Sequence, residues 1–196
     1  RTQAVNALVE AKRQLTSGAA PEQALRSAKL TGGFSGAMRP NLTAMLDRIG
    51  LAKWLKISGC EQLFGASSHL LQSSSVLPFP VFLNAENYNG TPDIVTTPLL
   101  RQMVVGHFVP MAKALPEAVF LPLGSVPSKV LTWLVFQGHL NPKSVLQGLP
   151  HPSGANAERI QYFLGKKEAA KLSAKTDPVK LDVARLRLES IVASLA

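Results

Sequence analysis

Residues 151–154 read His-Pro-Ser-Gly and lie between a short apolar run and a helix-like segment. The apolar run, residues 144–149, predicts a buried strand, and the segment that begins near Ile160 has helical spacing. A histidine and a Pro-Ser-Gly turn at such a junction place a titratable ring beside backbone N–H donors. This arrangement suits the stabilisation of negative charge at the carboxyl edge of a sheet. A histidine that only caps the following helix is the alternative interpretation.

The chain of 196 residues is strongly basic, with 21 Lys and Arg against 12 Asp and Glu and a net charge of +9. Many of the basic residues lie in the last part of the chain: Arg159, Lys166, Lys167, Lys171, Lys175, Lys180, Arg185 and Arg187. A charge excess of this size favours polyanionic partners, because binding them releases counterions. A solvated basic surface that has no partner is the alternative.

Composition predicts a folded domain, since 46% of the residues are hydrophobic and 17% are charged. The single cysteine, Cys60, excludes an internal disulfide framework and a cysteine zinc site. No apolar run approaches the roughly 18 residues of a membrane span. We therefore expect a cytoplasmic protein with no membrane partner, associated with the nucleoid if it is bacterial.

The apolar spacing predicts helices that alternate with short strands. The predicted strands are residues 70–77, 118–124 and 144–149. The predicted helices are residues 2–16, 21–29, 41–49, 51–57, 98–114 with a bend at Pro110, 127–137, 156–171 and 179–194. This alternation indicates an α/β fold, a three-layer αβα domain with a short, mainly parallel central sheet. We expect a single domain over residues 1–196, in which residues 172–196 form a C-terminal helical extension.

The order strand, helix, strand, His-Pro-Ser and helix resembles the end of a domain of the uracil-DNA glycosylase superfamily. In that superfamily the last strand runs into a motif of His/Asn-Pro-Ser type, and residues 151–154 resemble a blend of its His-Pro-Ser and Asn-Pro-Ser-Gly forms. Residues 119–124, followed by residues 129–131, are similar to the strand-Gly-helix that precedes this motif. The resemblance covers roughly residues 30–165. It implies the same αβα fold.

Two further segments resemble the superfamily. Phe34 precedes a helix that ends in a Gly-hydrophobic turn, and residues 73–77 are similar to a strand that carries a polar base-reading residue. The resemblance implies that Phe34 stacks on a flipped base and that Ser74 reads it. The alternative for Phe34 is a loop phenylalanine whose ring only packs into the core. Asn is common at the position of Ser74, so the shorter Ser leaves room for a base bulkier than uracil.

The superfamily's first motif, a strand that ends in a Gly-x-Asp/Asn-Pro-type loop, matches no part of this sequence. The side chain of that loop positions or activates water. The helix at residues 2–16 would follow the loop directly, so we expect the motif upstream of Arg1. Without it the chain would lack the group that activates water, and it would be a relative that binds nucleic acid without cutting it.

The resemblance implies a DNA repair glycosylase that flips out uracil or a related damaged base and hydrolyses its N-glycosidic bond. His151 would donate to the departing base oxygen, because the base leaves as an anion. Ser153 and Gly154 would hold a DNA phosphate, with a plain turn and helix cap as the alternative. The residues that would contact further phosphates, or else form a solvated helix face, are Arg159, Lys166 and Lys167.

The expected partner is DNA, and we expect a monomer that needs no cofactor. The four histidines lack the spacing or carboxylate pairing that suits zinc. No Walker, dinucleotide-binding or G-x-S-x-G motif is present. One polar loop could line a pocket or a DNA edge, through Asn84, Asn87, Tyr88 and Asn89. A different small α/β enzyme that carries residues 151–154 by chance is the remaining interpretation.

Overall fold

A computed structural model describes residues 2–195, with side chains from residue 5 onward. Helices dominate this part of the chain. The α-helices are α1 (Thr2–Thr16), α2 (Pro21–Gly32), α3 (Met38–Arg48), α4 (Leu51–Trp54), α5 (Pro98–Met103), α6 (Val109–Lys113), α7 (Ser125–Phe136), α8 (Ala157–Phe163) and α9 (Pro178–Ala193). Each predicted helix is confirmed in position. None of the helices in the described residues combines the length and the apolar character needed to cross a membrane.

The largest difference in helix length concerns α8, which was predicted to continue to about residue 171 and ends at Phe163. Gly165 adopts a left-handed conformation with φ of +73°, and its N–H donates to the carbonyl of Tyr162. A glycine in this conformation ends a helix and satisfies its last carbonyls. The chain after Gly165 therefore leaves the helix axis, and only a short 3-10 turn, Ala169–Lys171, follows.

The described residues form two compact units. Unit 1 contains residues 2–73, 152–183 and 192–195, and unit 2 contains residues 74–151 and 184–191. The residues predicted as a C-terminal extension thus contribute to both units.

In unit 1, small side chains allow α1 and α2 to pack closely. Ala7 and Ala11 of α1 are buried with Ala24 and Ala28 of α2. Helix α3 contacts α8, and both helices bury apolar side chains. Those of α3 include Met45, and those of α8 are Ile160 and Phe163.

The core of unit 2 forms around α7 and a long helical segment, residues 98–113. In this segment a π-helical turn, Val104–Phe108, joins α5 to α6. Pro110 has no N–H and cannot donate to the carbonyl four residues earlier. The N–H of Val109, just before it, donates to the carbonyl of Val104, five residues back. The irregularity predicted at Pro110 takes the form of this π turn.

The predicted three-layer αβα fold with a parallel central sheet is wrong. The sheet in the described residues has two strands, β1 (Phe82–Leu83) and β2 (Glu86–Asn87), which pair antiparallel. Strand β2 lies in the polar loop that carries Asn84 and Asn87, and β1 directly precedes that loop. Parallel pairing in the described residues is limited to one isolated bridge between Phe120 and Val145.

The predicted strand at residues 70–77 fails because its serines bond locally. The hydroxyl of Ser74 donates to the carbonyl of Ser75, at 3.3 Å, and the hydroxyl of Ser75 accepts from the N–H of Leu77, at 3.2 Å. Such bonds compete with a strand ladder. Pro78 then removes a donor that a central strand would need.

The other two predicted strands meet, but only briefly. The N–H of Phe120 donates to the carbonyl of Ser144, at 2.7 Å, and the N–H of Leu146 donates to the carbonyl of Phe120, at 2.8 Å. Pro122 cannot donate the next bond on its side. Gly148, with φ of +112°, turns the partner segment out of the extended conformation. The ladder therefore stops after one bridge.

The side chain of Leu146, one of the paired residues, is completely buried. Truncating it therefore tests whether the paired segment contributes to the core. We expect Leu146→Ala to lower the free energy of unfolding by about 2–5 kcal/mol, as buried leucine truncations do. Urea denaturation measures the change. Leu99→Ala is the matched control, since Leu99 is 69% exposed and its truncation leaves no cavity. Equal midpoints for the two variants would contradict the burial of Leu146.

Candidate active site

His151 follows the second of the two paired segments, and Gly124 follows the first. A Cβ atom on Gly124 would lie 3.5 Å from Cδ2 of His151, so the half-buried imidazole ring packs against this glycine. Gly124 has φ of +104° and ψ of 171°. This conformation is essentially restricted to glycine. The residue that packs against the His151 ring is therefore restricted to glycine by the backbone conformation at position 124.

The same glycine is the N-cap of α7, a helix of 12 residues. Its carbonyl accepts from the N–H of Ser128, at 3.2 Å, and from the hydroxyl of Ser128, at 2.8 Å. The first N–H groups of a helix have no acceptor within it, and they carry the positive end of the helix dipole. The first turn of α7 contains no acidic side chain. The surroundings of His151 thus favour negative charge.

The polar loop before α5 is fastened to the beginning of α7. A Cβ atom on Gly90 would lie 3.1 Å from Cγ2 of Val126, so the loop backbone approaches α7 closely. The ammonium group of Lys129 pairs with Asp93 at 2.7 Å. This pair and the N–H of Thr96 lower the pKa of the Asp93 carboxyl group. Asp93 is therefore an ionised anchor that holds the loop.

This loop contains the four polar residues that the sequence predicted to line a pocket or a DNA edge. Asn84 adopts a left-handed conformation in the turn between β1 and β2, and Asn87 lies in β2. The hydroxyl of Tyr88 donates to the carbonyl of Pro92. The side chain of Asn89 accepts from the N–H of Thr91. Tyr88 and Asn89 therefore stabilise the loop itself.

The turn after His151 belongs to unit 1 and is held by α3. Pro152 is buried, and its carbonyl accepts from the side-chain amide of Asn41, at 2.9 Å. Ser153 is the N-cap of a short 3-10 helix, Gly154–Asn156, that leads into α8. Its hydroxyl accepts from the side-chain amide of Asn156, at 3.1 Å. Gly154 is exposed, with open space where a Cβ atom would lie.

The basic side chains near this turn have different partners. Arg159 is exposed and donates to the Asn156 side chain and to the carbonyl of Lys175, both at 3.0 Å. Lys166 is exposed. Lys167 is partly buried and pairs with Glu158 at 2.8 Å. Lys166 is therefore better placed for a phosphate than Lys167, which already has a carboxylate partner.

Glu158 connects α8 to the chain that follows it. Besides Lys167, its carboxylate accepts from the hydroxyl of Thr176, at 2.6 Å, and from the hydroxyl and N–H of Ser173, at 2.7 and 3.1 Å. These donors, Lys167 first, hold the pKa of the Glu158 carboxyl group well below its usual range. Glu158 is a structural carboxylate.

Phe34 lies in unit 1 with φ of +52°, an unusual conformation for a phenylalanine. Its ring meets Phe64 edge-on, with 5.9 Å between the ring centroids. The guanidinium carbon of Arg39 lies 4.6 Å from the centroid of Phe64. Arg39 also donates to the carbonyls of Leu30 and Gly33. Arg39 thus stabilises the turn that presents Phe34, a role that its type and spacing did not indicate.

The predicted site residues divide between the two units. Ser74 and His151 belong to unit 2, and Ser74 is exposed in an irregular segment. The predicted residues in unit 1 are Phe34, Ser153, Gly154, Arg159, Lys166 and Lys167. Groups of three or more side chains that could hold a metal ion do not occur among the described residues. What the described geometry shows directly is the contact of His151 with Gly124 at the beginning of α7.

The chain is similar to a protein of Bacillus subtilis strain 168, the uncharacterized protein YoxB. The two are 38% identical over 160 residues, which cover 81% of this chain and 62% of the relative. The chain thus spans less than two thirds of the length of the curated relative that it matches. No family model and no solved structure matches the chain.

The pH dependence of stability tests the Glu158 network. In the unfolded chain a glutamate has a pKa of about 4.3, and the folded value is lower. The ionised Glu158 carboxylate therefore stabilises the folded state fully above about pH 4.3. This stabilisation is lost as the pH falls from there through the folded-state pKa. We expect Glu158→Gln to be less stable than the parent at neutral pH, and the difference in unfolding free energy to shrink below about pH 4.

Urea denaturation over a pH series measures this difference. Glu168→Gln is the matched control, because Glu168 has an exposed ion pair with Lys171 as its partner. Its effect should be small at every pH. A Glu158→Gln difference that does not change on acidification would contradict the depressed pKa.

Proposed function

We propose that this protein is a DNA glycosylase that releases uracil or a related damaged base. The observation that carries the proposal is the packing of His151 against Gly124 at the beginning of α7. When an N-glycosidic bond breaks, the base departs with negative charge on its oxygens. Fixed dipoles and a donor aimed at that charge lower the barrier, and a single such donor contributes about a hundredfold to a thousandfold in rate.

The proposal depends on local geometry, since the αβα fold that the resemblance implied is wrong. One parallel bridge joins the two segments that were predicted as strands. Gly124 and helix α7 follow the first segment, and His151 follows the second. Ligands bind at the carboxyl ends of parallel strands in α/β proteins, because helix N-termini meet there. Residues 118–151 have one parallel bridge, followed by one helix N-terminus and one imidazole ring, within described residues that are mainly helical.

In this role His151 donates to the departing base oxygen, and the positive end of α7 supports the same charge. The net charge of +9 supports DNA as the partner. We further propose that the protein acts as a monomer in the cytoplasm and needs no cofactor. Stacking by Phe34, base reading by Ser74 and phosphate contacts by Ser153 and Gly154 remain predictions.

A relative that binds nucleic acid without cutting it is the second candidate function. This function would not require the Gly-x-Asp/Asn-Pro-type motif that activates water in the superfamily, and residues 1–196 contain no such motif. The basic surface would serve this function equally well. Base release and DNA binding must therefore be measured separately.

Base release is measured on oligonucleotides that carry uracil, hydroxymethyluracil, hypoxanthine or a mismatch. We expect the parent to release one of these bases, and His151→Ala to release it about a hundredfold to a thousandfold more slowly while DNA binding persists. His69→Ala is the matched control, because His69 is an exposed histidine of unit 1. Release by the parent and by His151→Ala at equal rates would remove His151 from the mechanism. Binding without any release would favour the second candidate.

The dependence of DNA binding on salt tests the basic surface. We expect the logarithm of the binding constant to fall linearly with the logarithm of salt concentration, because each Lys or Arg contact releases counterions. Lys166→Gln should reduce the slope by about one if Lys166 contacts a phosphate. Lys12→Gln, which removes an exposed charge from α1, should leave the slope unchanged. A flat salt response of the parent would contradict both candidate functions.

A further inference from the structure

A groove on unit 2 is lined by side chains that the proposed function does not use. It has a volume of about 420 Å³ and is open to solvent. Its lining includes Arg101, Gln102, Val105, Trp133, Gln137 and His139. A volume of this size lies within the usual range of ligand sites, about 300–1,000 Å³. The groove is thus large enough to be considered as a second binding site.

The polar side chains of the groove have no partners in the described part of the chain. The guanidinium group of Arg101 and the amide groups of Gln102 and Gln137 form no hydrogen bond or ion pair with a described residue. The same is true of the His139 ring. By contrast, Arg159 donates to a backbone carbonyl. Convergent polar groups that have no internal role are typical of binding sites.

The charge of the groove identifies the kind of ligand that it would accept. Arg101 is a permanent cation, and no carboxylate lines the groove. A guanidinium group binds phosphate through two parallel hydrogen bonds. An anionic ligand, and a phosphate in particular, therefore fits this lining.

Two aromatic rings make a nucleotide the best match. Trp133 lines the groove and also packs against the buried core of unit 2, so its ring is firmly supported. Phe136 follows three residues later on α7 and is 85% exposed. Residues three apart are neighbours on a helix surface. A pair of neighbouring aromatic residues beside a cation is the arrangement with which proteins bind stacked bases of a single strand.

We propose that this groove binds a nucleotide of a single-stranded nucleic acid, with its base on Trp133 and its phosphate at Arg101. Phe136 takes the neighbouring base, and the amide groups of Gln102 and Gln137 meet base edges. Val105 contributes from the π-helical turn, and such turns are frequent at functional sites. The proposal goes beyond base excision, because none of these residues is among those proposed for it.

Tryptophan fluorescence tests the proposal directly, because the chain has two tryptophans, Trp54 and Trp133. Trp54 belongs to unit 1, where its ring N–H donates to the carbonyl of Leu195. Trp54→Phe therefore leaves Trp133 as the source of the signal. We expect a short oligothymidylate to quench this signal saturably, and thymidine 5′-monophosphate to bind more weakly. Thymidine, which has no phosphate, should bind weaker still by about tenfold.

Two charge variants in the Trp54→Phe protein locate the site. We expect Arg101→Gln to lower the affinity for the oligothymidylate by about tenfold, since it removes a charge-assisted hydrogen bond. Lys113→Gln removes an equal charge from an exposed position at the end of α6 and should leave the affinity unchanged. Far-ultraviolet circular dichroism verifies that both variants are folded.

Three results would overturn the proposal. They are the absence of saturable quenching, an equal loss of affinity in Lys113→Gln and Arg101→Gln, and binding of the monophosphate as tightly as the oligothymidylate. The third result would identify a free nucleotide as the occupant. His151→Ala should quench like the parent, so failure of base release and failure of this proposal are distinguishable.

Discussion

Two backbone hydrogen bonds join Phe120 to the segment that contains Ser144 and Leu146, and the candidate active site depends on them. They bring two chain segments side by side and in parallel, so that Gly124 and His151, which follow the segments, meet. The pairing is short because the residues that end it also build the site. Pro122 cannot continue the ladder, and Gly124 then takes a conformation open to glycine alone. The same few residues thus prevent an extended sheet and place the N-terminus of α7 beside an imidazole ring.

The Lys and Arg side chains differ in whether they have a carboxylate partner, a difference that a count of charges does not show. Lys129 and Lys167 are paired with Asp93 and Glu158. The first pair joins segments that are distant in the chain, and the second joins α8 to the residues that follow it. Their charges stabilise the fold locally and are less available to a polyanion. Arg101 has no partner in the described residues and lies in a groove with an aromatic ring. The 21 Lys and Arg side chains therefore include some that are paired with carboxylates, such as Lys129 and Lys167, and others, such as Arg101, that have no partner among the described residues.

The helices could be read from the sequence because their signals are local. Apolar spacing, Pro at the first turn and Gly after the last turn give α2 and α7 close to their observed bounds. The strands could not be read in the same way. The run Ser73–Leu77 has apolar character at its end, yet its serines bond to their own backbone. Whether an extended run becomes a strand depends on a partner that supplies hydrogen bonds, and sequence spacing contains no information about that partner.

By itself the sequence determined the positions of the helices, the excess of positive charge and the junction at which His151 occurs, since these follow from local propensity and composition. Tertiary structure decided what surrounds those residues. It placed Gly124 against His151, tied Lys167 to Glu158, and fixed the Phe34 turn through Arg39. It also gathered Arg101 and Trp133, which are far apart in the chain, into one groove. The physical reason is that contacts between distant segments depend on how side chains fill space together, and a linear pattern does not specify that packing.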